Sequence, residues 1–305
     1  MRDGILISGV SGLIGSSVVR ALKAKSIHAI KLVRRSAEAG ERALLWNPGP
    51  GKVQLPVLGS ISLDAAVHLS GANVSARRWT EAYKREIIGS RVDSTRAVCR
   101  LIAGAEHRPP VLLSASAVGI YGDRGDELID EGAQAGMGFL ADTCRAWEAA
   151  TEQAGSAGIR VVHLRFGVVL APEGGALGKL LPLFRTGLGA RLGGGCQWMS
   201  WITVDDAVAA MLYAIDDESL SGAVNVTAPA PVTNAEFTRT LGRVLRRPAV
   251  LRVPPFALRL AAGEMADEAL LAGCRAVPAK LMSSRFVFGD PSLEPALRRL
   301  LKVAG

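Results

Sequence analysis

The sequence predicts an α/β fold built on a doubly wound parallel sheet, with a smaller mixed C-terminal lobe. Three observations carry this. Strand-like and helical periods alternate over the first 165 residues, and right-handed crossovers between such elements produce a parallel sheet with helices on both faces. A glycine-rich turn, Gly9-Val10-Ser11-Gly12-Leu13-Ile14-Gly15, links the first strand to the first helix. The chain is 49% hydrophobic but only 5% aromatic, so its core rests on Leu, Val, Ile and Ala, as helix-covered parallel sheets do.

In order along the chain, Gly4 to Ser8 is a short apolar strand, and Val18, Val19 and Leu22 give the helical period that follows the turn. His28 to Val33 returns as a strand ending on Arg34-Arg35, which closes a β-α-β unit of about thirty residues. Trp46-Asn47-Pro48-Gly49-Pro50-Gly51 is turn-rich and is expected as a loop or hairpin. Ala66 to Leu69 is a buried strand ending at Ser70-Gly71-Ala72-Asn73, and Thr80 to Ala103 a long helix with Thr80 as its N-cap. Val111 to Ser114 is a strand, Gly138 to Gly155 a second long helix, and Arg160 to Leu164 the strand after it. Beyond residue 168, Pro172-Glu173-Gly174-Gly175 and Gly193-Gly194-Gly195 bracket an irregular segment. Asp205 to Ile215 is helical, and Ala223 to Val226 is a strand that can return to the main sheet. Helices are expected near Ala235 to Leu245, Ala257 to Leu271 and Leu293 to Leu301. The division expected is a nucleotide-binding domain from 1–168 and 203–228, and a substrate lobe from 169–202 and 229–305.

Composition excludes several classes of function. Cys99, Cys144, Cys196 and Cys274 have no paired spacing, which fits neither a disulfide framework nor a zinc site, and no metal is expected. The net charge of +8 is dispersed, with only short pairs at Arg77-Arg78, Arg246-Arg247 and Arg298-Arg299. Without a basic block or a nucleic-acid motif, it reads as solvated surface that favours anionic small molecules. The first strand begins by residue 4, leaving no room for a secretory leader, and no apolar run reaches membrane length. A cytoplasmic protein with a small-molecule substrate, no nucleic-acid or membrane partner and an open oligomeric state is expected.

The glycine turn carries the first functional reading. It follows a strand, opens a helix and sits within a β-α-β unit, the setting of a dinucleotide fingerprint. Small residues let the backbone approach a pyrophosphate, and the helix start offers free N–H groups and a favourable dipole. The cofactor candidates in the turn are Gly9, Ser11, Gly12, Leu13, Ile14 and Gly15.

Its Gly-x-x-Gly-x-x-Gly spacing resembles the extended branch of the short-chain dehydrogenase/reductase superfamily. In that branch an acidic residue after the second strand selects NAD, whereas arginine accommodates the extra phosphate of NADP. Arg34 and Arg35 stand there, which implies NADP(H); two solvated arginines on a loop are the alternative. Further segments resemble one atypical subgroup, the epimerase-family or sugar-nucleotide-epimerase-like proteins. They include Trp46-Asn47-Pro48, His68-Leu69-Ser70-Gly71-Ala72-Asn73, Arg78-Trp79-Thr80 and Ser114-Ala115-Ser116-Ala117-Val118-Gly119-Ile120-Tyr121-Gly122. Cys144-Arg145-Ala146-Trp147-Glu148, Arg165-Phe166-Gly167-Val168-Val169-Leu170 and Trp198-Met199-Ser200-Trp201-Ile202 continue the likeness, as does the segment from Ala228 to Phe237. The resemblance spans nearly the whole chain. It implies a Rossmann-type domain with NADP(H), pyrophosphate against Ser11 to Ile14, Leu69, Ser70 and Gly71 along the adenine-to-ribose path, and Ser116 as the active-site serine.

The chain departs from the superfamily where its Tyr-x-x-x-Lys pair belongs: Phe139-Leu140-Ala141-Asp142-Thr143 stands there. Phenylalanine has no proton to give, and threonine no charge with which to tune a phenol. Thr203 also stands where the subgroup often has histidine before Val204-Asp205-Asp206. In a regular helix Phe139, Asp142, Thr143 and Ala146 share one face, with Cys144 and Glu148 pointing elsewhere. Asp142 is then the ionisable group beside Phe139, with Tyr121 in the loop beyond Ser116. The catalytic candidates are Ser116, Tyr121 and Asp142, with a solvated or arginine-paired Asp142 as the alternative. His68 and His163, inside strands, read as packed side chains rather than bases. Two functions remain open: an NADP(H)-dependent oxidoreductase or epimerase acting on a small polar substrate, and a non-catalytic NADP(H) sensor.

Overall fold

The computed structural model describes residues 4–34, 42–49 and 55–303. Two compact units emerge, the first comprising Met1–Ser116, Thr143–Leu164 and Met211–Val224, the second Ala117–Asp142, Arg165–Ala210 and Asn225–Gly305.

Aliphatic runs make the central sheet, buried on both faces in its middle strands and only partly toward one edge. Its strands are β1 (Gly4–Ser8), β2 (Ala29–Val33), β3 (Ala43–Leu45), β4 (Leu63–His68), β5 (Val111–Ala117), β6 (Arg160–Phe166) and β7 (Gly222–Val226). They form one parallel seven-stranded sheet in the order β7-β6-β5-β4-β1-β2-β3. The chain leaves β1 toward β2 on one side and, from β3, returns to β4 on the other, so strand order reverses between β1 and β4. In open α/β sheets ligands bind in the crevice beyond the strand ends at such a reversal. Register places Ser8 level with both Leu32 and His68, bringing those ends together.

Helices α1 (Leu13–Ala24) and α2 (Glu81–Ala103) follow β1 and β4. The Thr80 Oγ1 accepts from the Tyr83 amide at 3.2 Å, so the predicted N-cap forms. Leu6, Ile30, Leu32, Leu63, Val98, Ile102 and Leu112 fuse sheet and helix into the core of the first unit. Each such side chain contributes about 1.5–3 kcal/mol by leaving water. His68 lies inside this core, its Nδ1 2.7 Å from the Ser8 Oγ and its Nε2 3.1 Å from the Ser94 Oγ. Complete burial pushes its pKa down to about 3, so it is a packed neutral ring.

Trp46 to Gly49 is irregular, as expected of the turn-rich segment, whose residues 50 and 51 lie outside the described residues, and β3 before it pairs in parallel with β2, Lys31 opposite Ala43. Two local expectations are corrected. The helix expected from Gly138 to Gly155 is two, α3 (Phe139–Ala149) and α4 (Glu152–Ser156), with Thr151 between them turning its hydroxyl back onto the Glu148 carbonyl at 2.7 Å. The helix expected from Ala257 to Leu271 is broken at Gly263, which takes φ +62°, a left-handed value that suits glycine, and helical turns resume over Ala266–Leu271.

The second unit carries helices α5 (Gly175–Arg185), α6 (Val204–Asp216, which also enters the first unit), α7 (Asn234–Leu245), α8 (Pro255–Ala262), α9 (Ala279–Ser283) and α10 (Leu293–Leu301). Four two-stranded sheets accompany them, three parallel and one antiparallel. Its core gathers Leu177, Leu181, Phe184, Trp201, Phe237, Leu241 and Leu297. Asp290 accepts from Thr203 at 2.9 Å and from Arg299, tying α10 to the start of α6. Among the described residues no helix is long and apolar enough to cross a membrane.

Candidate functional site

The predicted turn lies at the strand reversal. Gly9 takes φ +75°, and a Cβ on it would stand 2.7 Å from the carbonyl carbon and oxygen of Leu69. A Cβ on Gly15 would stand 2.2 Å from the Gly9 oxygen. Glycine at these positions lets three pieces of backbone meet. Gly12 differs: it is exposed, and its Cβ would meet nothing nearer than the Gly9 oxygen at 3.3 Å.

Gly12 also begins α1 with extended backbone, φ −77° and ψ 167°, and neither a side-chain cap nor an acidic first turn follows. The leading N–H groups of Leu13, Ile14 and Gly15 therefore start a helix without the usual side-chain acceptor, at the positive end of its dipole. This exposed cradle fits a pyrophosphate. Ser11 is exposed beside Gly12, and Leu69, Ser70 and Gly71 continue from β4 alongside the turn, the Leu69 amide donating to the Ser8 oxygen at 3.3 Å. Arg34 is exposed directly after β2, while Arg35 lies outside the described residues.

A cation that sequence reasoning missed stands beside this segment. The Arg91 side chain of α2 packs 3.3 Å from where a Gly71 Cβ would be, its guanidinium lies over the Trp147 ring at 4.9 Å, and its Nη1 donates to the Ile87 carbonyl. Burial works against its charge. No sequence signal marks it, because an arginine in mid-helix is ordinarily a solvated one.

At the end of β5, Ser116 is 3% exposed and its Oγ donates to the Glu148 Oε1 at 2.7 Å. The other carboxylate oxygen of Glu148 lies 3.7 Å from the His163 Nδ1, and the His163 Nε2 lies 2.9 Å from the Thr151 Oγ1. This overturns the expected phase of α3. Ala141, Thr143, Cys144 and Trp147 are buried with Glu148 half-buried beside them, and Asp142, Arg145 and Ala146 face outward. The expectation that Cys144 and Glu148 point away fails because Cys144 packs inside beside Trp147, and Glu148, one turn on at i+4, shares its side of the helix. Asp142 is exposed.

Tyr121 closes a 3-10 turn, Val118–Tyr121, and is fully buried in the second unit. Its hydroxyl donates to the Asn225 Oδ1 at 2.7 Å and accepts from the Arg165 Nη1 at 3.0 Å, with that guanidinium 5.2 Å from the ring. Burial raises its pKa, and the Arg165 contact only partly opposes this. At the start of α3 the carboxylate of Glu268 accepts from the Phe139 and Leu140 amides at 3.2 and 3.3 Å, capping the helix. Among the described residues no cluster of three or more His, Cys, Asp or Glu could hold a metal.

Residues 5–227 match the family model described as NAD dependent epimerase/dehydratase family, and residues 253–300 match a domain of unknown function, DUF1731. The "Epimerase family protein Mb2239" of Mycobacterium bovis is 46% identical over 293 residues, covering 96% of each chain. Among solved structures, that of the human epimerase family protein SDR39U1 (isoform2) with NADPH matches with a TM-score of 0.89 at 30% identity, covering 99% of both chains. A nucleoside-diphosphate sugar epimerase from Corynebacterium glutamicum matches with a TM-score of 0.77 at 33% identity, over 99% of this chain and 58% of that one.

Proposed function

For a chain that belongs to the NAD dependent epimerase/dehydratase family, within its SDR39U1-like branch, we propose an NADP(H)-dependent oxidoreductase or epimerase acting on a small polar substrate. The observation that carries this reading is the uncapped start of α1 behind Gly12, an anion cradle at the strand reversal. The human relative crystallised with NADPH supports the choice of cofactor. Ser11, Leu13 and Ile14 hold the pyrophosphate with backbone N–H groups, framed by Gly9, Gly12 and Gly15, the Gly12 amide itself donating to the Gly9 carbonyl. Arg34 and Arg35 take the adenosine phosphate, and Leu69, Ser70 and Gly71 line the path between them. When bound, the nicotinamide supplies or accepts a hydride.

Of the three polar candidates, Ser116 is the one we assign to the substrate oxygen, because it stands at a sheet-strand end with a carboxylate behind it. Tyr121, whose hydroxyl is held by Asn225 and Arg165, is assigned a structural part, and Asp142, exposed on α3, no part in the chemistry. The test is calorimetric titration with NADPH and NADH, followed by NADPH oxidation against a library of small aldehydes and ketones. Tight NADPH binding with turnover of a library member supports the reading. Binding with no turnover in any direction would favour a cofactor sensor, and no binding would remove both.

A further inference from the structure

The two positions that would supply the superfamily's proton-transfer pair are Phe139 and Thr143, so the proton that accompanies a hydride must move by another route. The first unit holds a connected line of polar groups. Ser116 Oγ donates to Glu148 Oε1 at 2.7 Å, Glu148 Oε2 faces His163 Nδ1 at 3.7 Å, and His163 Nε2 meets Thr151 Oγ1 at 2.9 Å.

Hydrogen positions along this line follow from counting donors. Thr151 has one hydroxyl proton, and its shortest contact, 2.7 Å, is to the Glu148 carbonyl, which can only accept. The Thr151 oxygen must then accept from His163, which puts a proton on Nε2. Nδ1, 3.7 Å from the Glu148 Oε2, is then the ring nitrogen that takes up a second proton, as an imidazolium beside that carboxylate. With Glu148 ionised, Ser116 is obliged to give its own proton to that carboxylate, so its Oγ presents lone pairs and accepts from whatever binds against it.

Resting on the oxidoreductase reading above, we propose that Ser116, Glu148 and His163 form a proton relay that replaces the missing pair and selects a substrate with a secondary hydroxyl, or the ketone made from it. In the oxidative direction the substrate O–H bond breaks and its proton passes to Ser116 Oγ, as the Ser116 proton passes to Glu148 Oε1. The substrate C–H bond breaks in the same event, its electron pair leaving as hydride to an oxidised nicotinamide dinucleotide, and the C–O bond becomes C=O. Glu148 ends protonated, with His163, 19% exposed at its side chain, beside it. Ketone reduction runs the same path backwards. Glu148 acts through Ser116 and is a positioning and proton-accepting residue.

Two measurements test this. The first needs no turnover: two-bond 1H–15N spectra of protein labelled at its four histidines report which ring nitrogens carry protons. The relay requires Nε2–H at His163 with imidazolium character. Glu148→Gln, unable to hold a negative charge, should shift the ring toward the neutral form, and Thr151→Val should release the tautomer. His163 protonated on Nδ1 alone, or a spectrum indifferent to Glu148→Gln, overturns the relay. The second measurement uses the same variant, because Gln keeps an acceptor for Ser116 but cannot take its proton. NADPH affinity should stay within about twofold of the parent while turnover falls roughly a hundredfold or more, the usual worth of acid–base transfer. If Glu148→Gln turns over like the parent, the relay is wrong and the oxidoreductase reading stands. If the parent turns over nothing, the oxidoreductase reading is wrong and the relay, which rests on it, falls with it.

Discussion

Gly12 and Gly15 lie one helical turn apart in the same motif, yet substituting them should have opposite consequences. A methyl on Gly15 would stand 2.2 Å from the Gly9 oxygen, 2.8 Å from its carbonyl carbon and 3.0 Å from the Val10 Cα. All three are backbone atoms of a turn that β4 holds from behind, so Gly15→Ala forces the turn and α1 apart. Overpacking of this kind costs about 1–3 kcal/mol. At roughly 2–4 °C per kcal/mol for a large domain, the melting temperature of the cofactor-free protein should fall by several degrees. Gly12 has ordinary negative φ and one neighbour at 3.3 Å, so Gly12→Val changes cofactor-free stability by no more than about 1 kcal/mol, the scale of ordinary surface substitutions. Its branched side chain instead fills the mouth of the N–H cradle. Loss of two charge-assisted hydrogen bonds to pyrophosphate, about 1.5–3 kcal/mol each, weakens NADPH binding by roughly a hundredfold or more. Thermal unfolding without ligand and calorimetric titration with NADPH measure the two effects separately. A Gly12→Val variant that binds NADPH like the parent, or a Gly15→Ala variant that melts with it, would refute the assignment of these two faces.

Three other outcomes are expected. NADP(H) should bind at least about tenfold tighter than NAD(H), one charge-assisted phosphate contact sufficing for that ratio; an Arg34→Ala, Arg35→Ala double variant that keeps the preference would remove the arginines from the phosphate site. His68 holds no proton in the folded protein until about pH 3, whereas in the unfolded chain it titrates at its ordinary 6.5. The unfolded state therefore binds the extra proton, and the His68 contribution, complete above pH 6.5, is lost as pH falls toward 3, with a slope approaching about 1.4 kcal/mol per pH unit. Denaturant titrations across that window should give a flatter profile for His68→Gln than for the parent. A thiol reagent should modify Cys196 first, because it is exposed while burial raises the thiols of Cys99 and Cys274 to about 11 and Cys144 is packed; a fast phase that survives Cys196→Ser would contradict this.

What the sequence determined is what short-range chemistry encodes. The strand–turn–helix from Gly4 to Ala24 is legible because glycine spacing and apolar period act within one turn of chain. Thr80 as an N-cap is legible for the same reason, its hydroxyl answering an amide three residues on. Alternation of strand and helix then left the doubly wound sheet as the economical topology, and β7 returned to its edge as expected. The candidate cofactor segment was readable because it is contiguous.

Only the tertiary structure decided the rest. Local period offers α3 more than one face to bury. Packing took in Ala141, Thr143, Cys144 and Trp147, left Asp142 and Ala146 exposed, and turned Glu148 toward Ser116. Partners separated by 32 residues, as Ser116 and Glu148 are, or by 104, as Tyr121 and Asn225 are, leave no periodic trace. A side chain's polar partner is set by which strands lie adjacent and how each helix is rotated. Those are properties of the packed core, where buried donors and acceptors must find one another wherever the chain has placed them.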